Sequence, residues 1–276
     1  MSLSLIIPVL LAALLHATWN SIVKGGQNKL YESAMNCLGG GLAALFFVPF
    51  VSFPAPEAWP LLALSCLCHL TYYICIAAAY REVDLSVGYT IMRGTAPLLT
   101  ALFMTVWGAP LSLAGWIGLL TICAGIGCLT LGHHPPTKRG LLLSLRTSFV
   151  IMGYTLADGF GAQHSGDAIG YACWIFVLNI FPLHILILCR NGRDYLHYLR
   201  GRALPGLSGG ACGLASYGIA IWAMTQAPIA LVAALRETSV IFGMLLAIVF
   251  LGERFSPLRA LAVVLVACGG MVLRLA

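Results

Sequence analysis

Two arginines and a glutamate stand where the chain otherwise reads as uninterrupted hydrocarbon. Arg236 and Glu237 lie inside WAMTQAPIALVAALRETSVIFGMLLAIVFLGER, residues 222–254, and Arg93 holds the matching place in AAAYREVDLSVGYTIMRGTAPLLTALFMTVWGAPLS, residues 77–112. Each run is long enough to cross a hydrocarbon layer of about 30 Å, which takes roughly 20 residues. Ionisable groups at that depth are costly, so they pair with one another or serve a passing solute or ion. In the earlier run Ser86, Thr90, Arg93 and Pro97 follow i, i+4, i+7, i+11 and share one stripe of a helix. Pro97 lacks the N–H that would bond the Arg93 carbonyl, which frees a backbone acceptor beside the charge. Glu237 follows Arg236 directly and points about 100° away around a helix. One of the two faces a cavity and the other pairs across an interface; Glu237 is then either a proton-coupling group or the fixed partner of an arginine.

Weaker clusters surround these charges. His16 and Asn20 share a face of HATWN with Trp19 beside them, and Ser65, His69 and Tyr72 repeat at i, i+4, i+7 next to Tyr73. Aromatic rings with polar tips suit a cavity that holds an amphipathic solute. The same residues are ordinary hydrogen-bonding glue between helices, and that reading stands beside the first. Tyr217, Trp222 and Gln226 are further candidates, the last two as interfacial anchors. Asp158, in TLADGFGAQ, reads as an interfacial or helix-end carboxylate. The GLSGG stretch at residues 206–210 matches a nucleophile elbow, but no strand precedes it to expose the serine. With Gly213 it reads as a small-residue packing surface, as do Gly39 to Gly41 and Gly125 to Gly127. His133 and His134 have no third ligand at zinc spacing, Cys66 and Cys68 have no second pair, and there is no phosphate-binding loop, so neither metal nor cofactor is expected.

Composition explains the elements that carry these groups. With 60% hydrophobic and 9% charged residues in 276, the chain has too much apolar surface for water, and its solvent must be lipid. The formal charge of +6 is spread over short loops, with no basic face for nucleic acid. Ten cysteines, mostly inside apolar runs, read as free thiols. The first run starts without a basic segment or cleavage pattern and is taken as a retained span. Ten spans are expected, at residues 3–23, 33–51, 59–80, 85–107, 113–131, 141–161, 168–189, 203–227, 229–251 and 258–275. Lys24, Lys29, Arg81, Lys138, Arg139, Arg190, Arg193, Arg200, Arg202, Arg254 and Arg259 fall in loops after odd-numbered spans, against Arg274 alone on the other side. This bias places those loops in the cytoplasm and both termini outside, on the periplasmic face of an inner membrane.

The runs around Arg93 and Arg236 are copies. Each continues through an apolar helix to a glycine (Gly108, Gly252) and a serine (Ser112, Ser256), and the midpoint falls near Pro135 to Lys138. Two units of five spans result, residues 1–134 and 138–276. An odd number of spans turns the second copy upside down, so the expected fold is an all-α integral membrane protein of two inverted five-helix repeats, the arrangement associated with alternating access. Arg93 lies about nine residues into its helix from one face and Arg236 about eight from the other, so both approach the midplane.

With RGTAPLLTALF in one half and RETSVIFGMLLAIVFLGERFSP in the other, the chain resembles the EamA type of the drug/metabolite transporter superfamily over nearly its whole length. The first half departs from the pattern, with Gly108-Ala109 where the second has Gly252-Glu253. The resemblance implies secondary transport of small metabolites, commonly export. The expected site comprises Arg93, Arg236 and Glu237 with His16, Trp19, Asn20, His69, Tyr72 and Thr90, and the expected partners are a small solute, the lipid bilayer and a coupling proton, in a monomer or homodimer. Two other functions stand beside it: translocation of an amphiphilic or lipid-linked substrate, and an intramembrane enzyme, for which His69 with Ser65 is the best pair and has nothing to orient it. A purely structural subunit gains little from buried arginines.

Overall fold

The computed structural model describes residues 2–83, 85–129, 131, 135–251 and 257–276, apart from the side chains of residues 24, 77, 85, 86, 247–251 and 259. Gly252, Glu253, Arg254 and Ser256 of the second motif, the His133-His134 pair, and the side chains of Lys24, Ser86 and Arg259 lie outside this description. The described chain is all-helical: α1 (Leu3–Gly25), α2 (Lys29–Phe47), α3 (Trp59–Ala79), α4 (Leu85–Val106), α5 (Leu113–Cys128), α6 (Lys138–His164), α7 (Ala168–Met224), α8 (Ile229–Arg236), α9 (Ser239–Leu251) and α10 (Pro257–Leu273). Among the described residues six stretches are long and apolar enough to cross a membrane, and two shorter apolar helices accompany them. In lipid a helix satisfies its own backbone, which is why such apolar runs adopt it. Side-chain caps close the exposed ends. Asn28 accepts from the Leu30 and Tyr31 N–H groups, Ser112 from Gly115, Thr137 from Gly140 and Asp167 from Ile169 and Gly170. Gly108 ends α4 with φ +91°, a left-handed turn that a side chain would oppose.

Two boundaries differ from the sequence reading. The loop expected between residues 189 and 203 shrinks to a kink: α7, Ala168–Met224, is two helical limbs that meet at Asn191, where the backbone is non-helical with φ −141° and ψ 41°. The segment holds because Tyr195 is fully buried and Tyr198 and Leu199 pack with it against α2, while Arg202 Nε reaches Glu32 Oε1 at 2.7 Å and the Tyr198 hydroxyl donates to the same oxygen at 2.6 Å. Arg190, Arg193, Arg200 and Arg202 are therefore helical. Second, whereas α4 runs unbroken through Pro97 as expected, the span expected at 229–251 is interrupted between α8 and α9, at Glu237-Thr238. There the Glu237 and Thr238 N–H groups bond Ala234 and Leu235 three residues back, and the Thr238 hydroxyl donates to the Leu235 carbonyl at 2.7 Å. The hydroxyl adds to the tightened backbone pattern that closes α8 without proline or glycine.

The two halves interleave. α3 and α4 pack on α6, α1 packs on α7, α8 and α9, α2 packs on α7, and α5 packs on α10. Glycines allow the closest approaches. A Cβ on Gly39 would meet the Gly206 carbonyl, one on Gly210 would overlap the backbone of Gly39 and Gly40, and one on Gly269 would fall 2.7 Å from the Gly118 carbonyl. Gly125 also packs on α10, whereas a Cβ on Gly127 would meet nothing within 4 Å, so the packing run there is shorter than expected. Ser208 is exposed on a helix, with its hydroxyl on the Pro205 carbonyl, which removes the nucleophile-elbow geometry. α8 lies innermost, with all eight of its residues buried.

Candidate functional site

Arg93, on the buried stripe of α4, is 8% exposed, and its Nε lies 2.7 Å from Glu237 Oε2. This is an ion pair whose N–H···O angle falls short of hydrogen-bond geometry. Arg93 Nη2 also donates to Ser239 Oγ at 3.2 Å. One arginine of the first half is thus fastened to both sides of the break between α8 and α9. Its guanidinium carbon lies 5.9 Å from the centroid of Tyr89, one turn earlier on the same helix.

Arg236, at the last position of α8, behaves differently. Its guanidinium carbon sits 5.1 Å from the Tyr217 ring centroid, a cation–π distance, and its Nε makes no hydrogen bond. Among the described residues no carboxylate lies within ion-pair distance of it. In the structure Arg236 lines a cavity, whereas Glu237 pairs with Arg93 and does not line it.

That cavity, about 110 Å³, is walled by seven helices. His16, Trp19 and Asn20 come from α1, Asn36 and Cys37 from α2, His69, Tyr72, Tyr73 and Ile76 from α3, and Tyr89, Met92 and Arg93 from α4. Ile151 and Tyr154 come from α6, Ile175, Phe176, Asn179, Gly213, Ser216 and Tyr217 from α7, and Arg236 from α8. The rings brace one another. His69 stacks on Tyr154 at 4.5 Å and meets the edge of Tyr217 at 6.0 Å, and His16 meets Trp19 edge-on at 5.0 Å. His69 Nδ1 lies 2.9 Å from the Ser65 carbonyl, which can only accept, so this nitrogen carries the hydrogen. Ser65 itself is wholly buried and lies outside the cavity wall, so the Ser65–His69 pair presents no nucleophile to a solute.

Seven of the nine expected site residues are brought together here: His16, Trp19, Asn20, His69, Tyr72, Arg93 and Arg236. Glu237 and Thr90 lie outside the wall, although both are buried. Trp222 lines a different, open cleft of about 670 Å³ with Gln163, Asp167 and Thr225. Among the described residues no group of three metal-ligating side chains occurs.

Asp158 requires a correction. It is neither interfacial nor at a helix end but completely buried, with the Tyr217 hydroxyl donating to its Oδ2 at 2.5 Å. The reason is that α6 continues past it to His164 and that Tyr171 and Tyr217 of α7 cover it.

The model of the EamA-like transporter family matches the chain twice, over residues 3–131 and 138–275. The chain belongs to the EamA-like transporter family. No curated relative matches it. A solved structure titled "Crystal structure of protein" shares its fold with a TM-score of 0.77 at 18% identity, covering 100% of this chain and 98% of the other. As an EamA-like protein the chain is a multi-pass membrane transporter of the drug/metabolite transporter superfamily, and members of that family are transporters rather than enzymes.

The EamA-like chain also places residues in the cavity that the sequence reading passed over, chiefly Tyr89, Tyr154 and Asn179. For Tyr154 the sequence carries a signal: Thr147, Ile151, Tyr154 and Asp158 repeat the i, i+4, i+7, i+11 spacing of Ser86, Thr90, Arg93 and Pro97.

Proposed function

We propose that the protein is a secondary transporter of a small organic metabolite, acting as an exporter by alternating access, with the cavity between Arg93 and Arg236 as its central site. The observation that carries this reading is the fastening of Arg93 to Glu237 and Ser239 beside the cavity, because it joins a helix of one half to the break between α8 and α9 in the other. Broken helices at a central site are the recurring device of such carriers. The packing supports two inverted repeats of five spans, 1–134 and 138–276, if the limbs of α7 on either side of Asn191 are counted as two spans and α8–α9 as one. Adding five to each span then turns the α3–α6 contact into that of α1 with the second limb of α7, where the Ser216 hydroxyl donates to the Ala12 carbonyl, and the α4–α6 contact into that of α1 with α8 and α9. The pairs α2 with the first limb of α7, and α5 with α10, map onto themselves.

An inner-membrane location with both termini outside follows from the basic bias, to which Arg146, two turns into α6, adds on the cytoplasmic side. The test is metabolite profiling of the medium from cells producing the wild type or Arg93→Ala at matched membrane levels. A compound enriched outside only with the wild type identifies the substrate and ties Arg93 to its export. Equal profiles from the two proteins refute the reading.

A further inference from the structure

The transport reading leaves one buried carboxylate without a task. Asp158 is 0% exposed and belongs to no ion pair among the described residues. Its Oδ2 takes the Tyr217 hydroxyl, and its Oδ1 makes no hydrogen bond of ordinary geometry. Polar groups of α3, α7 and α8, and one of its own helix, interact with it. Ser65, Cys66, Cys68 and His69 come from α3, Tyr154 from its own helix, Tyr171 and Tyr217 from α7, and Arg236 from α8. Fixed positive charge comes from Arg236 alone in that set, and Tyr217 links the two. Its hydroxyl holds the carboxylate, its ring carries the Arg236 guanidinium at 5.1 Å, and the same ring lines the cavity.

The charges of the described residues around the cavity can be counted. Arg93 and Glu237 cancel at 2.7 Å, which leaves Arg236 and Asp158. With Asp158 ionised, these two also cancel, and an anion entering the cavity would meet no net positive charge. With Asp158 protonated, the described groups around the cavity carry one net positive charge, because Glu237, which also feels Arg236, is already balanced by Arg93; a solute anion supplies the missing counter-charge. An ionised Asp158 and a bound anion therefore compete for one guanidinium in a low-dielectric setting, so binding one favours neutralising the other.

We infer that Asp158 is a proton-binding site and Arg236 the seat of a monovalent organic anion, and that the two are filled together. Resting on the transport reading, this makes the moving species a neutral pair, one anion with one proton, loaded on one side and released on the other. An acid formed in the cytoplasm would leave down its own gradient with its proton. Tyr217 is the positioning residue that ties the two sites.

Binding tests the pairing without any flux. The purified full-length chain in detergent micelles is titrated with benzenesulfonate in weakly buffered solution, with heat and proton uptake recorded across the pH range in which the fold holds. Benzenesulfonate stays anionic throughout, so any proton consumed goes to the protein. The wild type is expected to take up close to one proton per anion bound, with affinity changing by about tenfold per pH unit over part of the range. Asp158→Asn should bind without uptake and without that pH dependence, Arg236→Gln should lose binding, and His69→Gln should keep the uptake. If Asp158→Asn does not fold, Tyr217→Phe keeps the carboxylate but removes its tether, and the pH interval of uptake should move. Wild-type binding without proton uptake at every pH, unchanged uptake in Asp158→Asn, an unmoved interval in Tyr217→Phe, or no binding of benzenesulfonate overturns the inference. Equal metabolite profiles together with one-proton anion binding would sink the transport reading and leave the pairing standing.

Discussion

Glu237→Gln is the most informative single change, because it keeps the shape of the side chain and removes only its charge. Arg93 then loses the carboxylate 2.7 Å from its Nε and keeps Ser239 Oγ at 3.2 Å. At an effective dielectric of about 20, two unit charges ~4 Å apart are worth about 4 kcal/mol, and breaking a buried pair from one side costs about 3–5 kcal/mol. Arg93 borders the cavity and Glu237 is 5% exposed, so water there screens part of the lost charge and the expected cost is about 3 kcal/mol. With roughly 2–4 °C lost per kcal/mol in a chain of this size, the unfolding midpoint in detergent should fall by about 6–12 °C. Thermal scans of tryptophan fluorescence on the wild type, Glu237→Gln, Arg93→Gln and the double variant form a cycle. The double variant should be less destabilised than the sum of the singles, because it leaves no unpaired charge behind. Additivity within about 0.5 kcal/mol would mean that the two groups do not interact energetically and would refute the fastening of α4 to the helix break.

Two further outcomes follow from the geometry. Gly210→Ala should abolish monodisperse protein in size-exclusion profiles, because the new methyl overlaps the backbone of Gly39 and Gly40, whereas Gly127→Ala, whose methyl meets nothing within 4 Å, should leave yield and elution unchanged. Asn28→Ala removes a side-chain oxygen that accepts from two N–H groups at the start of α2, and should cost about 1 kcal/mol, read as an unfolding midpoint lowered by a few degrees.

What the sequence carried depended on period and composition. Apolar length located the helices, and the stripe through Thr90, Arg93 and Pro97 placed an arginine on the buried face of α4, because a regular helix converts spacing into direction. The glycines at 39, 206 and 210 were legible because close backbone contact leaves few other residues possible. The break at Glu237-Thr238 was not, since a run of 3₁₀-type bonds closed by a threonine hydroxyl has no proline or glycine to announce it. The helical stretch after the Asn191 kink reads as a loop in the sequence because its charges outweigh the Tyr195, Tyr198 and Leu199 face that α2 covers. Asp158 was misplaced because its burial depends on α7, and distance along α6 alone says nothing of what lies across from it.

The fastening of Arg93 to the α8–α9 break also sets a timetable for biogenesis. Ser239, the farther of its two partners, follows it by 146 residues, which at about 5–20 residues per second amounts to roughly 7–30 s of translation. Through that interval α4 carries a cation without its carboxylate, and a ribosome stalled before α8 holds a segment that is poorly suited to settle in lipid. The N-terminal half is thus a receptor waiting for the later segment, and α8, with no side left to face the bilayer, reaches its place only by docking into helices already there.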